Sequence, residues 1–154
     1  MTAAAKSSAV SAITLCTAVA LGSAVGALLR FQSGAIIMAH WGGGDLLATA
    51  VVNVVGSFVI MLFATLTTPE GRYPMGEITR QFVMGGICGG YTTRSLMGLN
   101  TLMLILDRHW LLGGAYVAGV VLSSLAAAAA GYWIALKVNR PFRRSVIAEC
   151  RALS

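Results

Sequence analysis

The sequence is short of charge, and above all of negative charge. Only 10% of its 154 residues are charged, with five acids against eleven lysines and arginines. An ordinary soluble domain carries about 25% charged residues, so this chain cannot dress a water-facing surface in the usual way. With 57% hydrophobic residues and a mean hydropathy of +0.80, it reads as an integral membrane protein. All five acids, Asp45, Glu70, Glu77, Asp107 and Glu149, lie outside the long apolar runs. That argues against a proton-coupled exporter, which needs a carboxylate within the membrane. The two histidines, His40 and His109, sit at run ends and are not spaced to face each other or a carboxylate. Neither a zinc site nor a nucleophile and base pair is supported, and no enzyme is expected. Cys16 and Cys88 fall in apolar runs and Cys150 in the tail, without disulfide or metal spacing, so they read as small buried hydrophobes. The net charge of +6 comes without a basic stripe interleaved with aromatics, which excludes a nucleic-acid partner.

What is abundant is long apolar runs. Residues 9–29, 46–66, 82–106 and 111–135 each approach the roughly 20 residues of a spanning helix. The expectation is an all-α protein with four transmembrane helices in one domain, 1–138, followed by a basic tail, 139–154, that can lie on anionic lipid. Pro69 and Pro74 mark the longest connector. Lys6 and the small-residue stretch "SAVGA" resemble a signal peptide, but the length of the run and the three spans that follow favour a retained helix.

The runs hold polar residues without charge. Thr49, Asn53 and Ser57 recur every fourth residue along one line of a helix. Such a line either gives an anion a path of donors or glues helices together, with Gly56 permitting close approach. Tyr116 and Ser124 lie two turns apart in the last run, and Tyr116 also suits an interfacial anchor. In the third run "GGICGGYTT", Gly85 to Thr93, is poor helix, since each interior glycine costs about 1 kcal/mol. The third helix is expected to break there. At membrane depth a break is tolerated where its freed backbone groups are buried in protein or line a cavity or ion site.

On these motifs the chain resembles the fluoride channels called Fluc or CrcB. "GSAVGALLRF" at Gly22–Phe31, "VVNVVGSF" at Val51–Phe58 and "GGICGGYTT" follow one another as the family's motifs do. The resemblance implies passive fluoride export across the cell inner membrane by an antiparallel dimer with two pores. It also implies a central sodium ion held by the backbone carbonyls of Gly89 and Thr92. Asn53 would be the pore asparagine, Thr93 and Ser95 polar residues beside the break, and Tyr116 and Ser124 part of the pore track on the fourth helix.

The departures matter as much. Where the family places two pore phenylalanines after the threonine pair, this chain has Arg94 and Met97. An aromatic edge touches an anion weakly, whereas a guanidinium is a permanent charge with five donors. Arg94 stands thirteen residues from both Gln81 and Asp107, too deep to reach water easily. It is expected to turn inward and replace sodium on the Gly89 and Thr92 carbonyls, or else to line the pore as an anion trap. Loss of the phenylalanines also opens two other readings: a diverged member with altered or lost ion selectivity, or a non-conducting assembly subunit. Basic residues are lopsided too. Lys6, Arg72, Arg80, Lys137, Arg140, Arg143, Arg144 and Arg151 fall on one side of the four spans, and Arg30 and Arg108 on the other. This bias places both termini in the cytoplasm. The partner is then another copy of the chain or an inverted paralogue.

Overall fold

In a computed structural model, the described residues are 3–41, 44–69 and 71–152, with side chains described from 12 to 140. The described residues form helices and turns, without strands. Helix α1 (Ala3–Trp41) is followed by α2 (Gly44–Leu66). A short helix α3 (Glu77–Gln81) passes directly into a π-helical stretch, Phe82–Cys88, and a last turn, α4 (Gly89–Tyr91). After Thr92 and Thr93 the chain resumes as α5 (Arg94–Leu106), and α6 (Trp110–Ala152) completes it.

Three helices are long and apolar enough to cross a membrane, over Ala12–Trp41, Gly44–Leu66 and Trp110–Arg140. Two expected boundaries move. The first helix does not stop at Leu29 but continues through "RFQSGAIIMAHW" to Trp41, because that stretch has no proline and its single glycine weakens a helix without ending it. Arg30 is therefore inside a helix rather than in a connector. The last helix also continues past residue 138 to Ala152, with Pro141 inside it. The basic side chains Lys6, Arg143, Arg144 and Arg151, and Cys150, lie outside the described side chains.

The interior is small and polar, as expected where lipid removes the usual incentive to bury large apolar groups. The buried set includes Ala48, Val52, Cys88, Val120 and Ala135 with Thr49, Thr67, Thr93 and Asn139, while Leu111, Phe31 and Trp110 lie on the surface. Cys88 is buried as expected, but Cys16 is exposed and is not a core residue.

Contacts fix the relative directions of the helices. Asn139 of α6 reaches the Thr65 carbonyl near the end of α2, whereas Asn100 links the start of α2 to Tyr116 near the start of α6. Helices α2 and α6 thus run parallel. The π-helical stretch packs along α1 in the same direction. A Cβ on Gly86 would lie 2.8 Å from the Cα of Gly22, and one on Gly90 would collide with the carbonyl of Ser23. These glycines let two backbones touch. The helix at Gly85–Gly90 therefore survives, because close packing on α1 offsets its poor propensity. The break is confined to the threonine pair, where Thr92 (φ −77°, ψ 155°) and Thr93 (φ −146°, ψ 119°) are extended.

Candidate functional site at the helix break

Two threonines in a row are a plausible place to leave a helix, since β-branching restricts their side chains and their hydroxyls compete for backbone partners. Their backbone is then held from outside. Asn53 on α2 accepts from the Thr93 N–H through Oδ1 at 2.9 Å and donates from Nδ2 to the Thr93 carbonyl at 3.0 Å. Its second amide hydrogen goes to the Thr49 carbonyl, also at 3.0 Å. The Thr93 hydroxyl in turn accepts from the Leu96 N–H at 3.2 Å and caps α5. Gly56 makes room for this arrangement, since a Cβ there would strike the Thr92 methyl group.

These side-chain bonds free two carbonyls. In a continuous helix the Thr93 N–H would satisfy the carbonyl of Gly89, and the Leu96 N–H that of Thr92. Here the first is taken by Asn53 and the second by the Thr93 hydroxyl. The Gly89 and Thr92 carbonyls thus lose their usual helical donors, and carbonyl oxygens are the ligand type expected of a sodium site.

The break divides two cavities. One, of about 360 Å³, is lined by Asn53 and Ser57 of α2, by Gly89, Thr92 and Thr93 of the break, by Arg94 and Met97 of α5, and by Ser124 of α6. The buried Ser124 hydroxyl has no hydrogen-bond partner among the described residues. The other cavity, of about 510 Å³, lies against Arg30, Asp45, Thr49 and Leu96. Thr93 lines both.

The expected site residues are therefore mostly, but not all, brought together. Asn53, Ser57, Gly89, Thr92, Thr93, Arg94, Met97 and Ser124 share the smaller cavity. The line along α2 splits, because Thr49 faces the larger one. Ser95 is exposed and its hydroxyl pairs with that of Thr93 at 3.2 Å. Tyr116 lines neither of these cavities. Its hydroxyl accepts from Asn100 Nδ2 at 3.4 Å, and the same nitrogen faces the Thr49 hydroxyl and the Asp45 carbonyl, each at 3.3 Å. Asn100 went unmarked in the sequence, although an amide in an apolar helix with only lipid for company is itself a signal. Arg94 is exposed on the chain and hydrogen-bonds to neither the Gly89 nor the Thr92 carbonyl. It lines the cavity onto which both residues open.

Residues 17–132 match the family model described as CrcB-like protein, Camphor Resistance (CrcB). A protein of Brucella abortus named fluoride-specific ion channel FluC 3 is 52% identical over 128 residues, covering 83% of this chain and 93% of the relative. Proteins named fluoride-specific ion channel FluC from Opitutus terrae and Paramagnetospirillum magneticum are 44% and 45% identical, each over 79% of this chain and over 92% and 95% of the relative.

Proposed function

Because the chain belongs to the CrcB family, we propose that it is a fluoride channel of the cell inner membrane, exporting the ion passively rather than acting as an enzyme. The observation that carries this reading is the cavity at the break, where Asn53, Ser57, Thr93 and Ser124 converge beside the N-terminus of α5. A helix N-terminus presents unpaired N–H groups and a partial positive charge to an anion. No carboxylate is among the residues that line this cavity, so no fixed negative charge there repels a small anion. The test is fluoride efflux from liposomes containing the purified protein, read with a fluoride electrode. Efflux no faster than from empty vesicles would reject the proposal.

The segment from Glu77 to Leu106 serves in this reading as a fourth, broken crossing. Support comes from the break's depth, since Asn53 and Gly56 sit midway along α2. The exposed apolar side chains suit both lipid and a partner packed antiparallel, which is an inverted paralogue if the chain inserts one way round and a second copy if it inserts both ways. The carbonyls of Gly89 and Thr92 would hold one positive charge in such a dimer, either a sodium ion or the Arg94 guanidinium turned inward, and that charge would steady the two breaks.

Arg94 favours a second element within this proposal. Its position in the same cavity as Ser124, without a hydrogen-bond or ionic partner among the described residues, supports an altered selectivity in which the guanidinium retains an anion before release. An inward turn onto the Gly89 and Thr92 carbonyls would instead make sodium unnecessary.

A further inference from the structure

A second concentration of unpaired cationic groups lies away from the break, between the end of α2, α3 and α6. There a cavity of about 590 Å³ is lined by Thr65, Thr68, Arg80, Tyr132, Asn139 and Arg140, with Ala64 and Leu136. Arg80 Nε is buried and has no hydrogen-bond partner among the described residues. Neither Arg80 nor Arg140 forms an ion pair among the described residues, and the nearby carboxylate of Glu77 is bound to Gln81 Nε2 at 2.9 Å. The wall of the cavity is held in place by buried Asn139. It accepts from the Arg72 N–H at 3.1 Å and donates to the Thr65 carbonyl at 2.9 Å, tying the connector and α2 to α6.

A buried guanidinium nitrogen without a partner is costly, and two guanidiniums facing one cavity repel unless an anion lies between them. The depth of the site identifies the anion. The apolar segment of α2 ends here at Leu66, and the apolar run of α6 gives way to Lys137, Asn139 and Arg140, as it does where lipid headgroups begin. We infer that this cavity binds the phosphate of an anionic phospholipid, with Arg80 and Arg140 as its charged ligands; Thr68 lines the wall, its hydroxyl donating to the Thr65 carbonyl at 3.2 Å. Ala64, Leu136 and the Tyr132 ring give the glycerol and first methylenes an apolar seat, which a free phosphate would leave unused. The bound lipid bridges α3 to α6. This inference rests on the membrane reading and is independent of fluoride conduction.

The test is native mass spectrometry of the full chain in detergent, titrated with phosphatidylglycerol or phosphatidylcholine. A bound phosphatidylglycerol is expected, and Arg80→Gln and Arg140→Gln should each weaken it about tenfold, the scale of one charged hydrogen bond. Lys137→Gln removes a charge at the same end but outside the cavity, so it should weaken binding several-fold less. Because Arg140 is exposed, its variant should fold even if the Arg80 variant does not. Equal losses from Arg140→Gln and Lys137→Gln would mean diffuse surface attraction and overturn the site. Displacement of phosphatidylglycerol by millimolar inorganic phosphate would overturn the assignment to lipid.

Discussion

Asn53 grips both backbone groups of Thr93, accepting from its N–H at 2.9 Å and donating to its carbonyl at 3.0 Å, across forty residues of sequence. The pairing imitates one rung of a β-ladder between a side chain and an extended residue. It lets a helix open opposite the middle of α2 without leaving Thr93, itself only 5% exposed, with unsatisfied polar groups.

Asn53→Ala should therefore lower both stability and fluoride flux. Each buried backbone group left without a partner costs about 1–3 kcal/mol, and the freed carbonyls of Gly89 and Thr92 depend on the same bracket. Thermal unfolding in detergent and liposome efflux measure the two effects. Flux lost with stability unchanged would show that Asn53 serves the ion directly instead of the backbone.

Part of this was legible in the sequence. Hydropathy located the long helices, and the stretch Gly85 to Thr93 contained the break, because both signals are local. The glycines misled for a physical reason. Propensity counts Gly85 to Gly90 as helix breakers, while the contacts of Gly86 and Gly90 with α1 make them packing surfaces. Spacing placed Thr49, Asn53 and Ser57 on one line, yet it could not reveal that Asn53 has no free amide hydrogen or that Thr49 faces a different cavity. Asn100 was missed because its role depends on partners 16, 51 and 55 residues away.

Asn100→Ala should loosen the junction of α2, α5 and α6 while leaving efflux largely intact. Interhelical hydrogen bonds of this kind contribute about 0.6 kcal/mol, up to roughly 1.7, and all three contacts are long. A modest fall in unfolding temperature with efflux within about twofold of wild type is expected. Loss of efflux would place Asn100 on the ion path.

Gly86→Leu should be far more damaging, since a Cβ at Gly86 already meets the Gly22 backbone at 2.8 Å, with backbone atoms rather than a yielding side chain in the way. The helix must move off α1, and overpacking of this kind costs about 1–3 kcal/mol or more. Gly98→Leu, where a Cβ meets nothing within 4 Å, is the matched control. Equal stability of the two variants would contradict the packing role.

A reporter fused to the C-terminus should be read almost entirely from the cytoplasm. Arg72, Arg80, Lys137 and Arg140 gather at the end where Asn139 joins the connector to α6, and Arg108 lies in the turn at the opposite end of α6. With Arg30 now inside α1, the bias is stronger than a count over connectors implied. Similar signals from both sides of the membrane would establish dual insertion despite this bias.

The sharpest test concerns Arg94 and sodium. If two subunits meet at their breaks, a guanidinium and a sodium ion about 6 Å apart, at an effective dielectric near 20, repel by roughly 3 kcal/mol. That is about a hundredfold in occupancy. Wild-type efflux should then be insensitive to replacing sodium by a large organic cation. Arg94→Phe removes the charge while leaving the Thr93 bracket and the freed carbonyls in place, so it should make efflux depend on sodium. It should also relieve retention of the anion and raise the fluoride rate. Sodium dependence already present in the wild type would mean that Arg94 points away from the carbonyls and acts on the anion alone. A rate unchanged by Arg94→Phe, with or without sodium, would remove the residue from the ion path altogether.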